Sequence, residues 1–272
     1  MKSRIAAAVL SLTLGACASQ STVSTLTLDR AIASSERNEA FKLRDKYRHP
    51  KETLEFFGLQ PQMTVAEVWP APGWYTEILA PYLRGRGKYI AAGFVTSWEG
   101  APQWRVDAMK EYRAMLAAKP KLYDQVQVTE VGKPDRWELA PAGSVDLVLT
   151  FRNVHNWVAA SYEKEMFAAF FRALKAGGTL GVVEHRAAPG TSIEVTKQTG
   201  YVTEEYVIAL AEGAGFKLAA KSEINANPKD SKDYPEGVWT LPPTLKLGDQ
   251  DRAKYMEIGE SDRMTLKFVK PQ

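Results

Sequence analysis

The 272-residue chain predicts an α/β fold, a doubly wound and mostly parallel sheet of seven strands. Three observations point there. From about Tyr47 onward, strand-patterned and helix-patterned segments alternate, as a parallel sheet covered on both faces requires. Val145 to Phe151 is nearly all apolar, the pattern of a central strand buried on both sides. Met264 to Val269 reads as a last strand so close to the C-terminus that it is expected to insert antiparallel.

The elements follow in order. Pro50 to Phe57 reads as a helix, with proline at its first position and Gly58 past its end. Thr64 to Val68 is the first strand. Trp74 to Leu83 is the next helix, which Pro81 should kink or shorten. Tyr89 to Ala92 is a short second strand. Gln103 to Ala118 is an amphipathic helix with Val106, Met109, Tyr112, Met115 and Leu116 on one side. Gln125 to Val131 is the third strand and Val145 to Phe151 the fourth. A helix is expected from about Ser161, burying Met166, Phe167, Phe170, Phe171 and Leu174 and stopping at Gly177-Gly178. Thr179 to Glu184 is the fifth strand. Thr203 caps a helix with Glu204 and Glu205 in its first turn, and Phe216 to Ile224 is the sixth strand. Asn225 to Asp262 is a long, proline-containing connection, read as a lid or binding loop over the site.

The N-terminus carries its own signal. Lys2 and Arg4 precede an apolar stretch, Ile5 to Leu14, of ten residues. Ten helical residues span about 15 Å, half of a ~30 Å hydrocarbon core, so the segment reads as a signal peptide over residues 1–16. Leu14-Gly15-Ala16-Cys17 matches the bacterial lipobox, which makes Cys17 the lipidation site. Cys17 is the only cysteine, so it cannot close an internal disulfide. Acyl chains there would hold the protein on a membrane. Ala18, rather than Asp, implies sorting to the outer membrane and a place on its periplasmic face. Residues 17–45 are expected to form a lipidated tether and an N-terminal arm, helical or partly ordered, leaving residues 46–272 as the domain. Removing the signal takes away two bases and no acids, leaving 33 bases against 32 acids. Such a balance offers no electrostatic footprint for nucleic acid.

Ligands of open α/β sheets sit beyond the carboxyl ends of the strands, where strand order reverses. The segment there is Glu67-Val68-Trp69-Pro70-Ala71-Pro72-Gly73. It resembles the first motif of the class I S-adenosylmethionine (SAM)-dependent methyltransferases, an acid at the strand end followed by a glycine-rich turn. Gly58-Leu59-Gln60-Pro61-Gln62-Met63 resembles that family's lead-in. Leu174-Lys175-Ala176-Gly177-Gly178-Thr179-Leu180 resembles the stretch before its fifth strand. Arg152-Asn153-Val154-His155-Asn156-Trp157, together with the tryptophan-proline first motif, is similar to a group of bacterial methyltransferases. The likeness covers about Pro50 to Lys270 and implies a Rossmann-like class I methyltransferase fold.

The resemblance implies SAM as cofactor and a small molecule as methyl acceptor. It assigns Glu67, Trp69, Gly73, Gly93, Phe94 and Asn153 to cofactor binding. Departures stand beside it. Trp69 and Ala71 replace two glycines, and Trp69 is poorly suited to positive φ. Pro70 and Pro72 remove two N–H donors. Ala91-Ala92-Gly93-Phe94 has no acid for the ribose hydroxyls.

The chain has three histidines. His155 follows the fourth strand and His185 the fifth, so both imidazoles can face one cleft and accept a proton near neutral pH. With Arg152 they are the catalytic candidates; Glu184, Asn153 and Arg186 come from the same edges. Loop anchoring and strand-end capping are the competing roles for both histidines. His49 reads as a surface residue. Glu260-Ser261-Asp262-Arg263 either reaches over the cleft or forms solvated turn charges. A metal site of the two histidines with Glu184 is the minor alternative, and no metal is expected, because no H-x-x-x-H or C-x-x-C spacing occurs. Two functions remain open: a SAM-dependent methyltransferase acting on a small molecule, or a non-catalytic envelope binding protein on that fold. A dinucleotide oxidoreductase is more distant, since G-x-G-x-x-G is missing.

Overall fold

The computed structural model describes residues 26–272. The signal peptide, Cys17 and the start of the tether lie outside the described residues. The described chain opens with three short helices, α1 (Leu28–Ile32), α2 (Glu39–Lys42) and α3 (Asp45–Arg48), followed by α4 (Pro50–Phe57). Then come β1 (Thr64–Val68), α5 (Thr76–Leu83), β2 (Lys88–Gly93), α6 (Gln103–Ala118), α7 (Pro120–Tyr123) and β3 (Val126–Glu130). The second half holds β4 (Val145–Phe151), α8 (Val154–Ala160), α9 (Glu163–Ala173), β5 (Leu174–His185), α10 (Ile193–Thr199), α11 (Glu204–Gly213) and β6 (Lys217–Ser222). A 3-10 turn (Gly237–Thr240), α12 (Arg252–Ile258) and β7 (Arg263–Val269) complete it.

The strands form one sheet in the order β3-β2-β1-β4-β5-β7-β6. β1 pairs in parallel with β2 and β4, and β4 with β5, whereas β7 runs antiparallel between β5 and β6. This is the Rossmann-like class I methyltransferase topology, and the antiparallel last strand agrees with the sequence reading. Val145, Leu147, Val148 and Leu149 are fully buried, as a central strand flanked on both faces must be.

Several boundaries moved. Helix α8 precedes the one expected at Ser161, because Ser161 takes a left-handed φ of 55° that ends α8 and restarts the chain as α9. The stop at Gly177-Gly178 was expected to end a helix. Instead α9 ends at Ala173, and Leu174 already pairs with Val145. The two glycines lie within β5, where Gly177 N–H donates to Lys270 O at 2.9 Å and the β4 register shifts. Residues 28–48 fold onto the domain: Leu28 and Ala31 join its core, and Trp74 Nε1 donates to Phe41 O at 2.9 Å.

The long connection is fastened down. Asn225 Nδ2 donates to Thr53 Oγ1 at 3.0 Å and to Thr265 Oγ1 at 2.9 Å. Asn227 Nδ2 donates to Ile258 O and Glu260 O. Asp230 accepts from the Tyr201 hydroxyl and from Asp262 N–H. Arg186, at the end of β5, bridges Asp262, Glu223 and Glu204. These carboxylates hold its guanidinium far above its usual pKa. The connection is therefore a fixed cover over the carboxyl ends of β4 and β5.

Candidate functional site

Strand order reverses between β1 and β4, so the crevice beyond β1 and β2 is where a methyltransferase sheet holds its cofactor. Here it is packed with side chains. Trp69 adopts φ 53°, the left-handed conformation a glycine would take, despite its Cβ. Two bonds hold it: its N–H donates to Ala92 O at 2.7 Å and its indole Nε1 to Val131 O at 3.0 Å. The indole lies 4.6 Å from the Phe94 ring and 5.6 Å from Trp157, reaching across the strand ends. Arg105 places its guanidinium 5.0 Å from Trp69, 5.2 Å from Trp104 and 5.5 Å from Phe94, inside a cage of three aromatic rings.

Neither glycine opens onto free space. A Cβ on Gly73 would stand 2.8 Å from Met115 Cε, and one on Gly93 would stand 2.4 Å from Met109 Cε. The glycines at these positions admit helix α6. Glu67 is buried, and burial raises its carboxyl pKa to about 8, against the opposing hydrogen bond from the Tyr89 hydroxyl at 2.5 Å. Thr76 links Tyr89 to Tyr112, so Glu67 ends a chain of internal hydroxyls. Asn153 Nδ2 donates to Val68 O and Thr150 Oγ1, tying β4 to β1. The loop after β2 carries no acid before Glu99 and is closed by Glu130 from β3, which accepts from Thr96 and Ser97. In this arrangement the residues do not fit SAM in the crevice.

The catalytic candidates meet elsewhere. His155 and His185 face each other with ring centroids 5.2 Å apart. With Arg152, Trp239, Thr244 and Ser261 they line a cavity of about 110 Å³ beneath the long connection. Glu184, fully buried between the histidines, accepts from His155 Nδ1 at 3.0 Å, His155 N at 3.3 Å and His185 N at 2.7 Å. This orients the His155 ring. His185 Nδ1 pairs with Ser261 Oγ at 2.5 Å. Burial pushes the His185 pKa well below its usual value, and neighbouring His155, Arg152, Arg263 and Arg48 add to the effect, so the ring is neutral.

Behind the histidines lies a cluster of arginines. Glu260 accepts from Arg44 Nε at 2.6 Å and pairs with Arg263 at 3.2 Å and Arg48 at 3.4 Å. Burial alone would raise the Glu260 carboxyl, but these three guanidinium groups hold it down at about 2. Burial lowers Arg48 to about 9 and Arg152 to about 10. Arg44 Nη2 and Arg48 Nη2 are buried with no hydrogen-bond partner.

The structure thus brings Arg152, His155 and His185 together, with Ser261 reaching over them as one of the two sequence readings expected. It leaves Glu67, Trp69, Gly73, Gly93, Phe94 and Asn153 as packing residues of a closed crevice. His155, Glu184 and His185 also present possible metal-ligand atoms within 4.8 Å of one another, a grouping that spacing along the chain does not mark. Glu184 already accepts three N–H bonds there, and the surrounding arginines repel a cation. Arg48 and Trp239 were missed. Arg48 ends the short helix α3, ahead of the first strand, and Trp239 lies in a proline-containing loop, and only the tertiary fold carries either to the strand ends.

No protein-family model and no characterised protein sequence matches the chain. Solved structures do match its fold. A SAM-dependent methyltransferase from Aquifex aeolicus aligns with a TM-score of 0.54 at 17% identity, covering 84% of this chain and 92% of that one. The [4+2]-cyclase SpnF aligns with a TM-score of 0.54 at 18% identity, covering 90% and 91%. An arsenic(III) S-adenosylmethionine methyltransferase from Chlamydomonas reinhardtii aligns with a TM-score of 0.51 at 12% identity, covering 90% and 73%. At these identities the likeness is one of fold.

Proposed function

We propose that this chain binds a small molecule in the covered pocket of Arg152, His155, His185 and Ser261, on a methyltransferase-type sheet whose cofactor crevice has closed. The observation that carries the reading is the filled crevice: Trp69 and Arg105 lie across it, and Met109 and Met115 abut its glycines. Chemistry-bearing side chains converge instead at the ends of β4 and β5. The pocket has the makings of acid–base work, since the His155 ring is braced by Glu184 and the neutral His185 ring lies beside it. With Cys17 lipidated, the pocket would serve small molecules at the periplasmic face of the outer membrane.

The second reading is methyl transfer from SAM to a small acceptor. It is favoured by the named activity of two of the similar folds and by Glu67 and Gly73 at the family's positions. It requires Trp69 and Arg105 to leave the crevice. Calorimetric titration of SAM and S-adenosylhomocysteine into the folded full-length chain separates the two. Absence of binding up to millimolar concentration is the expected outcome. Micromolar binding of either would overturn the first reading.

A further inference from the structure

The pocket that the proposed function rests on is surrounded by an uneven set of charges. Arg44, Arg48, Arg152 and Arg263 all act on Glu260 or on one another, and Glu260 and Glu184 are the close carboxylates. Glu260, which also lines the cavity, is neutralised by three of the arginines, and Glu184 is occupied by three N–H donors. Among the described residues, Arg152 forms no ion pair within 4.0 Å and no side-chain hydrogen bond, although it lines the cavity wall. It also lines a smaller cleft that continues to Arg48 and Arg263. The Arg48 side chain is 4% exposed, yet its Nη2 has no acceptor. A guanidinium withdrawn from water is costly unless an acceptor replaces the water. Arg152, the one guanidinium in the wall of this cavity and without a carboxylate partner among the described residues, therefore marks a place for negative charge.

We propose that the pocket binds an oxyanion, the carboxylate or phosphate group of its ligand, held by Arg152 with His155, His185 and Ser261 around it. Size agrees with this. About 110 Å³ equals roughly four water volumes at ~30 Å³ each, room for one tetrahedral or planar anionic group rather than a whole nucleoside. Thr244, on the exposed rim of the cavity, marks the side from which the rest of a larger ligand would extend. Arginine suits the role because its planar fork can bind either anion through two N–H groups at once. The same charge set disfavours a divalent cation between His155, Glu184 and His185.

The test follows the imidazole NMR signals of His155 and His185 in the full-length chain. Inorganic phosphate and acetate are titrated in separately, with chloride keeping ionic strength constant. Saturable shifts of both signals at millimolar concentration or below are expected for at least one anion, and the stronger of the two identifies the preferred group. Arg152→Met should weaken that binding at least about tenfold, and Arg152→Lys should weaken it less. Thermal stabilisation of the unaltered protein by phosphate over chloride gives a second readout that needs no variant. No saturable shift up to about 50 mM of either anion overturns the inference, as does equal affinity in a folded Arg152→Met. Glycerol serves as a neutral probe. If glycerol moves the histidine signals and the anions do not, the charge inference fails while the pocket reading stands. If SAM binds saturably and no probe moves either histidine, both fail.

Discussion

Glu67 offers the sharpest test of whether the crevice is a cofactor site or part of the core. Its carboxyl is raised from 4.5 to about 8, chiefly by burial. In the unfolded chain Glu67 ionises above about pH 4.5, whereas in the folded protein it keeps its proton until about pH 8. Between those values the unfolded state binds fewer protons, so stability falls as pH rises. At 1.36 kcal/mol per pH unit, the loss reaches about 3 kcal/mol by pH 7. Glu67→Gln removes the titration while keeping an oxygen that can accept from the Tyr89 hydroxyl. The variant should match the unaltered protein near pH 4.5 and exceed it at pH 7 by up to about 3 kcal/mol. For a domain of this size that is a rise in Tm of roughly 6–12 °C. Urea unfolding at several pH values between about 5 and 8 measures the difference directly. A pH-independent difference, or a variant less stable at pH 7, would refute the assignment of Glu67 as a neutral core acid. A carboxylate serving a ligand would behave in the opposite way, with Gln costing affinity and leaving stability nearly unchanged.

Further outcomes follow from the same geometry. Glu260→Gln removes the carboxylate shared by Arg44, Arg48 and Arg263 and should cost about 3–5 kcal/mol in urea unfolding near pH 7. Because the Glu260 carboxyl sits near 2, its contribution is present above about pH 4.5 and lost as pH falls through 2, so the cost of the variant should shrink in acid. Trp69→Gly suits the φ of 53° but empties the space beside Phe94 and Trp157; a net loss of about 2–4 kcal/mol is expected, and a neutral effect would mean the indole is not packed as described. Arg105→Ala takes the guanidinium out of the cage of Trp69, Phe94 and Trp104; calorimetry should still find no SAM binding, and recovered micromolar affinity would show that the side chain alone bars the crevice. Asn225→Ala breaks two buried bonds that pin the cover to Thr53 and Thr265, and amide exchange across residues 226–262 should quicken more than in the sheet.

Much of the fold was legible because it rests on local pattern. Strand boundaries at β1 and β4, the Pro50–Phe57 helix, the Gln103–Ala118 helix and the antiparallel β7 follow from apolar runs, capping residues and position along the chain. The helix restart at Ser161 and the bulged entry into β5 were not legible, since a serine at φ 55° and a glycine pair drawn into a strand depend on their sheet neighbours. For the site, the sequence alone determined that His155 and His185 would share one edge, because parallel neighbouring strands end together. Only the tertiary structure decided what surrounds them. Arg48 arrives from α3, ahead of the first strand, and Glu260 and Ser261 from the turn before β7, across separations that no periodicity records. Likewise, the motif of Glu67 and Gly73 shows in one dimension. Whether the space beside it is open was settled by Trp69, Arg105, Met109 and Met115, through packing at distances that a residue spacing does not encode.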